Sequence, residues 1–290
     1  MKSIKAYETK IKKIINENRP AKRPRKSDQA DPVVTMIEGI LQADATEAEA
    51  TVAMALLNDE FVDYNELRVA PVKDIVECLR ELPFSRRKAC TLQDSLNAIF
   101  YRTNDVSGAH MEKMPAKAVR RYLMELGLDH YAAAYTAMVA LDVRALPVDQ
   151  TLVETMELNG HLPPGLDRAE IQKMFERLVG RSDMMTAHLA LRQYVAKHAK
   201  ALAKHRKIQE QAQAKIDAAN QAVADAAAKV KAEADALAKA KAREEELTQA
   251  RARAKAKALA KGKGPGKTAG KPAPAGKNPS TPAPRKAARK

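Results

Sequence analysis

Arg120–Leu158 reads RRYLMELGLDHYAAAYTAMVALDVRALPVDQTLVETMEL, and where this stretch breaks decides the fold class. Helical segments are predicted over 115–126, 129–141 and 149–158, with breaks at Gly127 and Pro147. Moving outward, helical segments follow at 167–179 and precede at 86–102 and 65–81. The stretch DPVVTMIEGILQADATEAEATVAMALLNDEF (31–61) mixes apolar and acidic residues with a helical period, and Pro32 suits a first turn. Further breaks fall at Pro71, Pro83, Asn104–Gly108 and Pro163-Pro164-Gly165. No segment sustains strand alternation, so the predicted class is all-α.

The flanks differ in character. Ile4, Tyr7, Ile11, Ile14 and Ile15 share a helical face in residues 3–18, and Arg19–Lys26 (RPAKRPRK) reads as an exposed basic linker. After Gly180 the chain drifts to Ala, Lys and Gln, which favour long helix. Val195, Leu202, Ile216, Val223, Val230 and Leu237 recur at multiples of seven, with Ala212, Ala219, Ala226 and Ala240 three positions on. That seam suits a coiled coil, docking onto the domain, or a lone solvated Ala-rich helix. From Lys261 onward Gly, Pro, Ala and Lys have almost nothing to bury, so disorder is expected there. The expected division is 1–28, a basic helix and linker; 29–182, a helical domain; 183–260, a long helix; and 261–290, a tail.

Charge follows that division. The total is +15. Residues 1–28 hold ten Lys/Arg against three acids, and residues 31–180 hold 15 against 24, a net −9. Residues 251–290 hold 13 cations and no acid. An acidic globule therefore sits between basic arms, and the natural partner for such arms is a polyphosphate. Candidate phosphate contacts are Lys22, Arg23, Arg25 and Lys26 in the first arm. In the second they are Arg251, Arg253, Lys255, Lys257, Lys261, Lys263, Lys267, Lys271, Arg285 and Lys286. The tail resembles those of linker histones and bacterial histone-like proteins. Without interleaved aromatics, base stacking and sequence readout by the tail are not expected.

Two cysteines, Cys78 and Cys90, exclude a disulfide framework and a four-thiolate cluster. The N-terminus lacks the apolar core of a signal peptide, and no later run would span a bilayer. The expectation is an intracellular protein of cytoplasm or nucleoid, or of the nucleus where there is one, with no membrane partner. His188, His198 and His205 spread along one helix without a carboxylate, and His161 lies in a Gly/Pro turn, so no metal site and no cofactor are expected. Arg86, Arg87 and Lys88 read as a solvated helix start or as phosphate contacts.

The order of several segments resembles the helix-hairpin-helix DNA glycosylase superfamily, in its endonuclease III branch, over roughly residues 10–180. DPVVTMIEGILQADATEAEA is similar to the first core helix and its SAQAT-like turn. VKDIVECLRELPFSRRKACTLQDSLNAI (72–99) is similar to the next helix, apolar turn and Lys-Ala helix start. Residues 120–141 occupy the place of the hairpin, 145–158 that of the Val-Asp segment bearing the family's acidic residue, and 167–179 that of the helix behind it. The resemblance implies a two-lobed helical domain. It also implies a pocket for an everted nucleotide between the lobes, and backbone N–H groups of the hairpin on a phosphate.

Residue by residue, Asp149 matches the acidic position that helps break the glycosidic bond. Its other reading is an ordinary N-cap for helix 150–158. Gly127 alone survives of the hairpin's glycine pair, with Glu125 where the other glycine belongs. Asp129 stands where the bifunctional members carry their Lys nucleophile, and without that amine lyase chemistry is not expected. Asp44 takes the place of the residue that wedges into the base stack, with Gln42 two positions away. The cluster-binding cysteines of many relatives have no counterpart, since no Cys follows Cys90.

Three functions fit these residues. One is a double-stranded DNA-binding protein of repair or chromosome organisation, without lyase activity, held by its basic arms. A second is a monofunctional glycosylase using Asp149. A third is a structural or adaptor protein that forms a homodimer or recruits a partner through helix 195–240.

Overall fold

The computed structural model describes residues 4–22 and 30–261. Twelve α-helices run along the described chain, with no strand among those residues: α1 Ile4–Glu17, α2 Pro32–Gln42, α3 Glu47–Glu60, α4 Tyr64–Val69, α5 Val72–Cys78, α6 Ser85–Thr103, α7 Ala109–Glu112, α8 Ala116–Glu125, α9 His130–Val139, α10 Gln150–Leu158, α11 Arg168–Leu178 and α12 Met184–Lys261. None is long and apolar enough to cross a membrane. The chain divides into one compact unit ending at Ala212 and a second beginning at Gln213.

Side-chain caps cut the first unit into short rods. Asp31 accepts the Val33 N–H at 2.7 Å, with Pro32 in the first turn of α2. Thr46 and Glu49 form a reciprocal capping box at the start of α3. Asp63, Asp129 and Asp149 cap α4, α9 and α10 by accepting the N–H of Glu66, Ala132 and Leu152, each at 2.8 Å. The expected segment 31–61 thus becomes two helices, and 65–81 is split at Pro71, which has no N–H to continue α4.

The core gathers Ile11 from α1, Met36, Ile37 and Leu41 from α2, Leu92, Leu96 and Ile99 from α6, Tyr131 from α9 and Phe175 from α11, all fully buried. Gly39 lets α2 meet α9 closely: a Cβ there would lie 3.1 Å from Cα of Ala132. The start of α12 joins this core through Met184, Ala187, Ala190, Leu191, Tyr194 and Leu202. The seven-residue seam is therefore split between environments. Val195 and Leu202 pack on the first unit, while in the second unit Ile216, Val223, Val230 and Leu237 are between 53 and 69% exposed.

His188 is buried by this docking, its ring beside those of Tyr131 and Tyr135. Burial, then the nearby Arg192 charge, pushes its pKa down to about 3. Because the folded value lies below the unfolded one, the unfolded chain binds the extra proton. This group's stability is complete above pH ~6.5 and is lost as pH falls from there toward about 3. Between about pH 7 and pH 5 the loss is expected to reach roughly 2 kcal/mol. Urea unfolding at the two pH values checks it, and His188→Gln should show a correspondingly smaller change.

Candidate functional site

The turn joining α8 to α9 is built around Gly127, whose φ of +87° is a conformation that side chains bearing a Cβ rarely adopt. It is exposed, and nothing lies within 4 Å of where a Cβ would stand. A cleft of about 350 Å³ opens beside this hairpin. Its walls come from the end of α2 (Ile40, Ala43, Asp44), the start of α6 (Phe84, Arg87, Lys88, Thr91), the hairpin (Gly127, Leu128, Asp129, Ala132), Gln150 of α10 and Arg168 of α11.

Lys88 organises the floor. The residue is only 5% exposed, and its Nζ donates to the carbonyls of Ile40 (2.6 Å), Leu41 (3.1 Å) and Ala43 (2.6 Å). The last carbonyls of a helix have no partner within it and carry its partial negative charge, so a buried cation satisfies both needs of α2. Arg192 of α12 serves the same end, donating to Ala45 O at 2.7 Å and Gln42 O at 3.4 Å. Burial pulls the Lys88 amine down to about 8, against the upward pull of Asp129, Asp44 and Asp149. Lys88 is thus neither a solvated helix start nor free to grip a phosphate, which corrects the expectation from sequence. Arg87, its neighbour, is exposed.

Asp149 is 4% exposed and sits one residue before the cleft wall. Its Oδ1 accepts the Leu152 N–H at 2.8 Å, its Oδ2 accepts the Asp44 N–H at 3.3 Å, and Arg192 Nη1 is 3.7 Å from Oδ2. Burial, reinforced by the Asp44 charge, raises its pKa, while the Leu152 N–H and Arg192 oppose this. Asp44 answers from the other side: its Oδ1 accepts from the backbone N–H (2.9 Å) and hydroxyl (3.1 Å) of Thr151. The two aspartates therefore stitch the α2–α3 turn to the start of α10. Asp44, at φ +58°, has its carboxylate engaged by Thr151, whereas the wedge that the resemblance implied needs a free side chain.

The residue the sequence reading missed is Phe84. It stands on the rim, 66% exposed, at φ +58°. An exposed aromatic in left-handed backbone is unusual and persists only where its surroundings impose it. In sequence it is one apolar residue after a proline, with no signal of its exposure. Gln42 is half-buried, its Nε2 donating to Tyr135 Oη at 3.2 Å. Asp129 caps α9 and lines the cleft.

Lys22, the described cationic candidate of the first unit, does not line this cleft. Lys22 is exposed in the first unit, and Arg251, Arg253, Lys255 and Lys257 are exposed on α12 in the second. Lys261 ends α12. Arg23, Arg25, Lys26, Lys263, Lys267, Lys271, Arg285 and Lys286 lie outside the described residues, as does the expected disordered tail beyond Lys261. Among the described residues no group of three or more His, Cys, Asp or Glu is placed to hold a metal ion.

Compared by sequence, the chain matches no family model and no curated protein. Compared by structure, it is similar to an endonuclease III in a non-covalent complex with DNA, with a TM-score of 0.50 and 17% identity over 66% of this chain and 85% of that one. It is similar also to the 8-oxoguanine glycosylase/lyase of Clostridium acetobutylicum bound to DNA, with a TM-score of 0.50 and 13% identity over 68% and 71% of the two chains. MBOgg1 with a low-affinity DNA ligand aligns with a TM-score of 0.50 and 14% identity, over 68% and 72%. Over 66–68% of its length, this chain has the fold of the helix-hairpin-helix DNA glycosylases.

Proposed function

We propose that the chain is a DNA-binding protein related to base-excision-repair glycosylases, held on duplex DNA by its basic arms and devoid of lyase activity. The three similar structures hold DNA. The cleft here supplies an aromatic rim residue, Phe84, able to stack on a base, and two arginines, Arg87 and Arg168, suited to phosphate.

The state of the cleft's amine supports the loss of lyase chemistry. Lys88, the one lysine among the described lining residues, has its Nζ engaged by three carbonyls, and Asp129 caps a helix where the resemblance puts an amine. Strand cleavage by a lyase needs a free neutral amine to attack C1′ of the damaged nucleotide's sugar and form a Schiff base. Borohydride reduces such an adduct to a stable covalent bond. Full-length protein mixed with duplex containing an abasic site and borohydride is expected to give no protein–DNA adduct on a denaturing gel. Any such adduct would refute the proposal.

A second reading, hydrolysis of a damaged base without a covalent step, draws on Asp149. Its carboxyl is buried, shifted toward the protonated form, and adjacent to cleft-lining Gln150. In separate incubations without borohydride, alkali-labile sites on lesion-bearing duplex that vanish with Asp149→Asn would establish it. No strand scission across the panel would retire it.

A further inference from the structure

A second cavity, of about 500 Å³, lies at the other end of α10. It opens between α1, the loop after α10 and α12. The nine residues of α10 separate it from the cleft by roughly 14 Å at 1.5 Å per residue.

We infer that this cavity binds a phosphate group. Three ammonium groups meet there, Lys10 and Lys13 from α1 and Lys197 from α12, against one carboxylate, Glu17, which stands 3.7 Å from Lys13. Lys10 Nζ donates to Gly160 O at 2.7 Å and Lys197 Nζ to Asn18 Oδ1 at 2.8 Å. Those acceptors are neutral, so they hold both cations in place without cancelling their charge, and each ammonium keeps further donors. That is pre-organisation for an anion.

The imidazole of His161 lines the same space. Its Nδ1 is buried, without a hydrogen-bond partner among the described residues, so contact with an anion in the cavity falls to the other edge of the ring. The Tyr194 ring lies against both His161 (6.0 Å between centroids) and His198 (4.6 Å). The His161 pKa is lowered by burial first, then by Lys10 and His198, with Glu17 pulling the other way, so the local field is positive. A tetrahedral phosphate oxyanion matches donors converging from three chain segments better than a planar carboxylate, whose acceptors lie in one plane. The volume admits a phosphate ester as readily as the free ion. Its source is therefore either a small phosphate compound or the DNA backbone.

The histidine ring protons of the full-length protein report on this by NMR. Two arms are run at constant ionic strength set with chloride, one titrated with inorganic phosphate and one with a short blunt duplex. Saturable shifts at His161 and His198 are expected, with the His161 midpoint rising by about one pH unit, since an added anion favours the protonated ring. The His188 resonance, buried elsewhere, should stay fixed and certifies the fold. The double variant Lys10→Gln/Lys197→Gln should lose the response while keeping His188 unchanged. A response to phosphate alone assigns a small phosphate compound; a response to duplex that phosphate competes away assigns the backbone. No saturable shift in either arm, or an undiminished shift in the double variant, overturns the inference.

Discussion

Raising salt from about 50 to about 200 mM is expected to weaken duplex binding by roughly 10³–10⁵-fold, and deleting residues 251–290 to remove most of that dependence. The thirteen cations of this segment have no acid among them, whereas residues 31–180 carry a net −9. A neutralised phosphate releases a condensed counterion, and the logarithm of the binding constant then falls with the logarithm of salt by about 0.9 per phosphate contacted. If 6–10 of the thirteen cations engage, the slope for the full chain is about −5 to −9. Residues 31–180, with that net negative charge, would repel the duplex, so they cannot supply such a slope alone. Fluorescence anisotropy on a labelled duplex, for the full chain and for residues 1–250, measures both slopes. Equal slopes and affinities for the two proteins would sink the proposal that the arms provide the grip.

Lys88→Met is expected to destabilise the first unit by about 3–5 kcal/mol. Methionine fills a similar volume but offers no donor, so the carbonyls of Ile40, Leu41 and Ala43 lose their shared partner in a buried place. Each stranded carbonyl costs about 1–3 kcal/mol, and the three are not additive because they share one amine. For a unit of this size the fall in Tm is about 10 °C or more. Arg87→Met is the control, since its side chain is exposed and its expected change lies within about 0.5 kcal/mol. Calorimetry on the two variants decides it. Equal, small effects would mean that Lys88 does not hold α2 in place. The same ammonium forms the cleft floor, so its loss should also loosen the turn carrying Asp44.

Most helices and their ends were legible because their causes are local; the four-residue α7 was not. Asp31-Pro32 and Asp129 act on backbone within three residues of themselves, and Pro71 interrupts by lacking a donor. The Gly127 turn was legible too, since one residue's backbone freedom sets it. Asp149 shows the boundary of this kind of reading. Its cap on α10 is local, but its second bond joins it to Asp44, 105 positions earlier, and no local pattern signals that pair. For Asp44 the resemblance implied an outward wedge, whereas a long-range bond to Thr151 engages its carboxylate. The seven-residue seam had open alternatives for a related reason. Val195 and Ile216 look alike in periodicity, yet only the former meets the core, because burial depends on what else reaches that face.

Charge distribution, helix content and chain breaks follow from residue types and their near neighbours, so they needed no coordinates. The destination of Lys88, the pairing of Asp44 with Asp149, the exposure of Phe84 and the convergence of Lys10, His161 and Lys197 were decided by tertiary structure alone. Each depends on groups distant in sequence being brought within a few ångströms. In the interior an amine or carboxylate takes its role from those neighbours, through desolvation and hydrogen bonding, and not from its place in a helix.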